Sequence, residues 1–480
     1  MPPRCGIGNN VGQNARHYAR ARWQARYGLM PLSRLTRPLT HLLIALIGPG
    51  MIVGAEPGDK PFSIQAALDT NPGTMVHVPA GDHLISAPLR LHHDHSGLYG
   101  EGRIIQQNPE VPILIIEDSR DVTVQGLTFT RAKDKEVTRA EGVVAIKCRD
   151  LVLDGIWVIN NRTRSAAIAI RESQSTDIRD CRVRNYMSLT IDDRTHSPDW
   201  GYAFNCIDGT GIAVSYSQGT SITGCRVVEE DLLPTREVQQ KHGLGKFVKK
   251  NPQKGAIISQ KTWDEEFVSN WHQGSAIIVT APESSDLTRI LNNHIENAAQ
   301  GVDLHSDHVI LSGNVIHNSF MGMKAMHGSR NVIITGNQFI KNDLWSIGLM
   351  PGASSHAAAP AAEGKPATPP NVDGGSVIAN NIISDFGRGH SAWVWEGQGT
   401  PIRFDSRQKP HNPPLTDVVI QGNVIYDSDR DEAPAAGTEG PAKPKYEYAV
   451  RIASEAQGLH FSGNLFHPGR SGISNIPLPP

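Results

Sequence analysis

Asn293-His-Ile295-Glu-Asn297, Asn314-Val-Ile316-His-Asn318 and Asn337-Gln-Phe339 repeat one phrase at spacings of 21 and 23 residues. Further copies stand at Asn381-Ile-Ile383-Ser-Asp385, Asn423-Val-Ile425-Tyr-Asp427 and Asn464-Leu-Phe466, and most follow a small residue or another Asn. One Asn turn in every unit of this length predicts a stacked β-coil, because such a unit cannot bury its apolar face until a neighbour stacks on it. Asn suits that turn. Its amide both donates and accepts, so copies one rung apart can bond each other.

Upstream the same place is held by Leu127, Ile156, Cys181 and Cys225. Spacing widens to 44 between Cys181 and Cys225, to 68 before Asn293, and to just over 40 in the last intervals, which predicts loops projecting from a regular coil. Short runs of Val, Ile and Thr alternate with polar residues, the period of strands. The reading is all-β: a right-handed parallel β-helix over roughly residues 60–475 with long loop insertions. It forms one domain, residues 56–480, behind an extension at 1–55.

A charged fraction of 20% and a net charge of −2 exclude a general nucleic-acid field. Arg34 and Arg37 precede an apolar run from Leu42 to Val53, then Val53-Gly-Ala55, which is the pattern of an export signal cleaved after Ala55. Met30 is then an alternative start. The run is broken by Gly-Pro-Gly and falls short of the roughly 20 residues a membrane span needs. The expected location is secreted or periplasmic, with no stable membrane insertion after processing. Cys148, Cys181, Cys206 and Cys225 remain in the mature chain. A Cys181–Cys225 disulfide on adjacent rungs stays open beside the plainer reading of small buried apolar residues. No Cys/His spacing of a zinc site occurs.

Ser63-Ile-Gln-Ala-Ala-Leu-Asp69 followed by Val76-His-Val-Pro-Ala-Gly-Asp-His-Leu-Ile85 resembles the opening segment of pectate-lyase-like β-helix proteins. The resemblance implies a short helix capping the barrel and a first strand behind it. It implies a fold rather than one chemistry, because the superfamily includes lyases, hydrolases, epimerases, tailspikes and adhesins.

Function must therefore come from the coil surface. The strands align as Gly211-Ile-Ala-Val-Ser215, Ser275-Ala-Ile-Ile-Val279, Gly301-Val-Asp-Leu-His305, Gly322-Met-Lys-Ala-Met326, Ser346-Ile-Gly-Leu-Met350, Pro401-Ile-Arg-Phe-Asp405 and Ala449-Val-Arg-Ile-Ala453. Alternation points positions two and four inward and three and five outward. One outward stack then runs Ala213, Ile277, Asp303, Lys324, Gly348, Arg403, Arg451. The other runs Ser215, Val279, His305, Met326, Met350, Asp405, Ala453. Lys147 and Arg171 lie far up the first stack and read as surface charges.

Asp303-Leu-His305 also resembles the Asp-Pro-His motif of β-helical mannuronan C5-epimerases, with Leu304 in place of Pro. The resemblance implies Asp303 and His305 as the active pair and Lys324 as the neighbouring cation. Proton abstraction beside a carboxylate needs a cation on that carboxylate and a base at C5. His305 is the natural base, since imidazole titrates nearest neutrality. Lys324 or Arg403 would hold the carboxylate. Asp303 would orient His305 or, with calcium, bridge to substrate. Loss of the C4 substituent gives a lyase and reprotonation from the other face an epimerase. Charges on a solenoid face are otherwise merely solvated, and that reading competes for Arg403, Asp405 and Arg451, which are also candidate subsite residues.

Other clusters compete. Asp192-Asp193-Arg194, beside Trp200 and Tyr202, offers the paired carboxylates of a polygalacturonase-type hydrolase, or simply a turn held by an ion pair. His327, with Gly328-Ser-Arg330, is a turn histidine or an alternative acid or base. Insertion 229–272 is basic and ends in Trp271-His272; it reads either as a flap gripping an acidic glycan, with Trp271 stacking on a sugar, or as an exposed basic loop with one core Trp. Residues 352–371 and 432–445, rich in Ala, Pro and Gly, read as flexible excursions without chemistry. The expectation is an exported enzyme acting on an acidic polysaccharide as lyase or C5-epimerase. The alternatives are a glycoside hydrolase and a non-catalytic glycan-binding solenoid, in which Asp303, His305 and Lys324 would point apart or lie under loops, with aromatic platforms carrying the binding surface.

Overall fold

The computed structural model describes residues 62–281, 284–389, 392, 399–406, 411–428 and 443–479. The export signal and nearly all of the 432–445 excursion lie outside them. Twelve short parallel strands, from Leu89–Leu91 to Gly472–Ser474, stack rung on rung into one face of a solenoid, here the front sheet. A second sheet of 22 strands forms the rest of the wall; after the first two coils, which give it one long strand each, every coil gives one strand before the turn that Asn holds downstream and one after. This is a right-handed parallel β-helix. Ile290, Leu311, Ile334 and Ile378 pair in register down that wall, and all four are fully buried. A three-residue strand turns only its middle side chain inward, which is why each coil carries so few apolar residues.

The Asn turns form the ladder expected of them. Asn314 Nδ2 donates to Asn337 Oδ1 and to the Ile290 carbonyl, both at 2.9 Å. Its Oδ1 accepts the Asn293 backbone N–H at 2.9 Å. The residue before each Asn is left-handed, with φ of 69° at Gly313 and 55° at Asn380, which Gly and Asn tolerate best. Cys225 holds the same place as a free thiol 3.6 Å from the Ile178 carbonyl, and its N–H reaches Asn293 Oδ1 at 2.8 Å. Cys181 is likewise free and buried, so the disulfide left open above is not formed. A second, serine ladder runs at another corner. The Cys148 and Ser173 amides donate to Ser173 Oγ at 3.0 Å and Ser217 Oγ at 3.1 Å.

The helix Ile64–Thr70 closes the barrel's N-terminal end, started by Ser63 Oγ accepting the Ala66 N–H. Its Ile64 and Leu68 face the core. The flap begins earlier than the predicted residue 229. Ser188–Asp192, Tyr202–Asp208 and Phe247–Lys250 form a three-stranded antiparallel sheet, with the Tyr202 and Phe247 rings stacked at 4.4 Å. Residues 350–373 are also more ordered than expected. They pair back on themselves, His356 with Asn371 and Ala359 with Thr368, and the base of this hairpin is bonded to the coil.

Candidate functional site

On the front sheet, Ile278, Asp303, Lys324, Gly348, Arg403 and Arg451 stand opposite one another on successive rungs. Alternation therefore phases five of these strands correctly. The exception is Ser275–Thr280, where Ile278 rather than Ile277 joins the stack and Thr280 rather than Val279 pairs with Ser215. Between its terminal Ser275 and Thr280 that strand offers Ala-Ile-Ile-Val, with no polar alternation to set the phase. Met326 and Met350, expected to face outward into solvent, are buried where residues 350–373 fold back.

Asp303 is the centre of the cluster and is only 4% exposed. His305 Nε2 lies 3.0 Å from its Oδ1, and Lys324 Nζ lies 3.3 Å from its Oδ2. The His305 approach is at ion-pair distance but not aligned as a hydrogen bond, so the attraction is electrostatic. Burial opposes the charged carboxylate, yet Lys324 and His305 outweigh it and hold Asp303 well below the ordinary range. An ionised carboxylate beside Nε2 selects the tautomer with its hydrogen there, leaving the lone pair on Nδ1. Nδ1 is 3.4 Å from Thr280 Oγ1, a weak contact that a substrate can displace. Thr280 escaped the sequence reading through the phase error on its strand.

His327 packs edge-on against His305, ring centres 4.5 Å apart. It sits at a left-handed φ of 61° in the turn after Lys324. Its Nδ1 accepts the Ser354 N–H at 3.2 Å, which places its hydrogen on Nε2. Burial, then the charges of His305 and Lys324, push its pKa down to about 4. Gly352 lies flat against this ring, and a Cβ there would meet Nδ1 head-on. Asp373 fixes the same turn. Its Oδ1 accepts the Gly328 and Ser329 amides at 3.0 and 3.1 Å, and its Oδ2 accepts Ser355 Oγ. Burial pushes its pKa up to about 6, against those hydrogen bonds. Residues 352–371, read as devoid of chemistry, thus hold one wall of the cluster.

Further along the stack, Arg403 Nη2 pairs with Asp405 at 3.0 Å, and its guanidinium lies over the Trp345 ring at 5.6 Å. The indole lies across Gly348, where a Cβ would come within 2.7 Å of Nε1. Arg451 is half-exposed, 3.6 Å from Glu447.

Several expected residues lie elsewhere. Trp271 and His272 are each 1% exposed and pack in the core beneath the flap, so Trp271 has no face for a sugar. Burial pushes the His272 pKa down to about 3, and its Nε2 faces Met187 Sδ. Asp192 and Asp193 do not face each other. Asp192 is buried and held by Arg194 at 3.0 Å, while Asp193 is exposed and meets Arg164 at 3.3 Å. Arg194 also reaches the buried Asp208 at 3.1 Å, so the group braces the flap. Lys147 is exposed and Arg171 pairs with Glu141, as surface charges do. Cavities of about 710 and 530 Å³ share Arg139, Arg164, Thr190 and Asp193, and none of Asp303, His305 or Lys324 lines either.

Calcium does not fit at Asp303, whose two oxygens already face cationic partners. Among the described residues no group of three or more His, Cys, Asp or Glu is placed to hold a metal. No helix among them is long and apolar enough to cross a membrane.

The fold places the chain among right-handed parallel β-helix proteins. A family model described as "Right handed beta helix region" matches residues 275–476. No curated protein matches the sequence. Of the solved structures, the Dettilon tailspike protein is 10% identical with a TM-score of 0.46. The alignment covers 81% of this chain and 62% of the tailspike, so this chain spans under two thirds of that protein. The A-module of mannuronan C-5 epimerase AlgE6 from Azotobacter vinelandii is 13% identical, with a TM-score of 0.43 and coverage of 84% and 94%. An alginate lyase solved with a trisaccharide is 10% identical, with a TM-score of 0.46 and coverage of 86% and 84%. At these identities the likeness is one of fold.

Proposed function

We propose that this chain is an exported enzyme acting on a uronate-containing polysaccharide by abstracting the proton at C5, with His305 as the base. One observation carries the reading: a buried Asp303 faces an imidazole on one side and an ammonium on the other. A non-catalytic solenoid face has no need of such a group, because burying a carboxylate is costly unless it is paired. Asp303 fixes the His305 tautomer so that Nδ1 can take a proton. It also stabilises the imidazolium that results. Lys324 retains donors for a substrate carboxylate, and neutralising that carboxylate is what makes the C5 hydrogen acidic. Arg403 lies two rungs beyond Lys324, roughly 10 Å along the stack, where a neighbouring uronate unit would lie. Asp192 and Asp193, the carboxylates on which the hydrolase reading rests, are each engaged by an arginine.

The test is loss of the C5 hydrogen from acidic polysaccharides, read together with the ultraviolet absorbance of a C4=C5 uronate. The wild type should act on at least one polymer, and His305→Ala should lower the rate by at least about 10²-fold. Activity surviving in His305→Ala, or binding without any chemistry, would overturn the assignment.

A further inference from the structure

We propose that His305 and His327 act together on one face of the sugar, so the site takes uronates whose C5 hydrogen and C4 oxygen share that face. This rests on the C5 proton-abstraction reading and adds stereochemistry to it. The two imidazoles touch, with ring centres 4.5 Å apart. Groups that straddle a pyranose ring need a van der Waals contact on each side of it, about 7 Å in all. Two rings in mutual contact leave no room for a sugar between them. Both therefore address it from the same side.

Their hydrogen positions divide the work. His305 offers a lone pair at Nδ1, because the ionised Asp303, 3.0 Å from Nε2, electrostatically favours the hydrogen on that nitrogen. His327 offers a hydrogen at Nε2, because the Ser354 amide occupies Nδ1. Nε2 has no hydrogen-bond partner among the described residues and is not one of the buried unpaired atoms, so it remains open to a ligand. A neutral imidazole is a competent donor to a developing oxyanion. The other charged groups at the pair are Lys324, which faces Asp303, and Asp373, which holds the turn behind His327.

The step is a syn elimination. The C5–H bond breaks and its proton passes to His305 Nδ1. The C4–O4 bond breaks, its electron pair leaving with O4, while C4=C5 forms. O4 takes the proton back from His305, with the His327 Nε2–H hydrogen-bonded to the departing oxygen. No other reactant is needed. In D-mannuronate and D-glucuronate chains the C5 hydrogen and O4 lie on one face. In D-galacturonate and L-guluronate chains they lie on opposite faces.

The experiment sets the wild-type protein against polymannuronate, polyglucuronate, polygalacturonate and polyguluronate, following C4=C5 absorbance and the C5 hydrogen. Absorbance should rise with polymannuronate or polyglucuronate and not with the other two. His327→Ala should then lower kcat by about 10²-fold with KM little changed, while His327→Gln, which keeps a donor, should recover much of it. Cleavage of polygalacturonate or polyguluronate would overturn the facial assignment and leave His305 as the base. So would exchange at C5 without elimination. Loss of no C5 hydrogen from any polymer would refute the underlying reading, and the inference with it.

Discussion

Two buried aspartates stand at this site with opposite electrostatic characters. Asp303 is held below the ordinary carboxylate range by Lys324 and His305 against the pull of burial, so its stabilising contribution is complete above pH 3.8 and fades only as pH falls through its lower folded value. Asp373 has no cation within ion-pair distance among the described residues, and burial pushes it up to about 6. Its contribution is complete below 3.8 and is lost as pH rises through about 6, at most about 3 kcal/mol from a shift of this size. Asp373→Asn preserves the shape and the acceptor for Gly328 and Ser329. Thermal melts should show the wild type losing stability relative to this variant between pH 4 and pH 7. Parallel curves would show that Asp373 titrates as an ordinary carboxylate. The sequence made Asp303, His305 and Lys324 visible because polar residues in apolar strands are conspicuous. Asp373 and Ser355 were not visible, because they reach the site from a loop whose path no periodicity encodes.

At the scale of elements, the coil depends on its ladders. Asn337 Oδ1 accepts the Asn314 amide at 3.0 Å, and its Nδ2 reaches the Leu311 carbonyl and Asn381 Oδ1, each at 2.9 Å. Asn337→Ala leaves a buried donor and a buried acceptor unpaired, which should cost about 2–5 kcal/mol in urea unfolding. A loss under about 0.5 kcal/mol would mean that the ladder is ornamental. The asparagines were legible because one residue type recurs at one spacing. The serine ladder was harder to see, since serine is common and its partners are backbone amides. Register was legible wherever polar residues alternate with apolar ones and failed at Ser275–Thr280, whose four middle residues are all apolar. Trp271 could be read as a sugar platform or as a core residue, because it ends a basic insertion. Trp271 is buried in the same apolar cluster as Leu244, Ile258, Val268 and the coil interior, and a core takes a tryptophan readily.

Taken whole, the molecule is a ruler whose divisions are rungs. Every coil offers its outward residue at the next step along the front sheet, so chemistry and grip can sit on one line. Lys324 and Arg403 mark two such places, with Gly348 and the Trp345 indole between them. If Arg403 grips a neighbouring uronate, Arg403→Ala should raise KM by about tenfold and change kcat by no more than a few-fold. An equal fall in kcat would place it at the reacting unit instead. In the 229–272 insertion Phe247 stacks on Tyr202 and Trp271 is buried in the core, so these aromatic residues serve packing. The most direct test of the central claim is proton NMR of an acidic polysaccharide in D2O, following the C5 hydrogen with wild type and with His305→Ala. That signal disappears whether C5 is deuterated or becomes part of a double bond. The account predicts its loss with the wild type and its persistence with the variant. A C5 signal untouched by the wild type on every uronate polymer, or lost equally with both proteins, would contradict it.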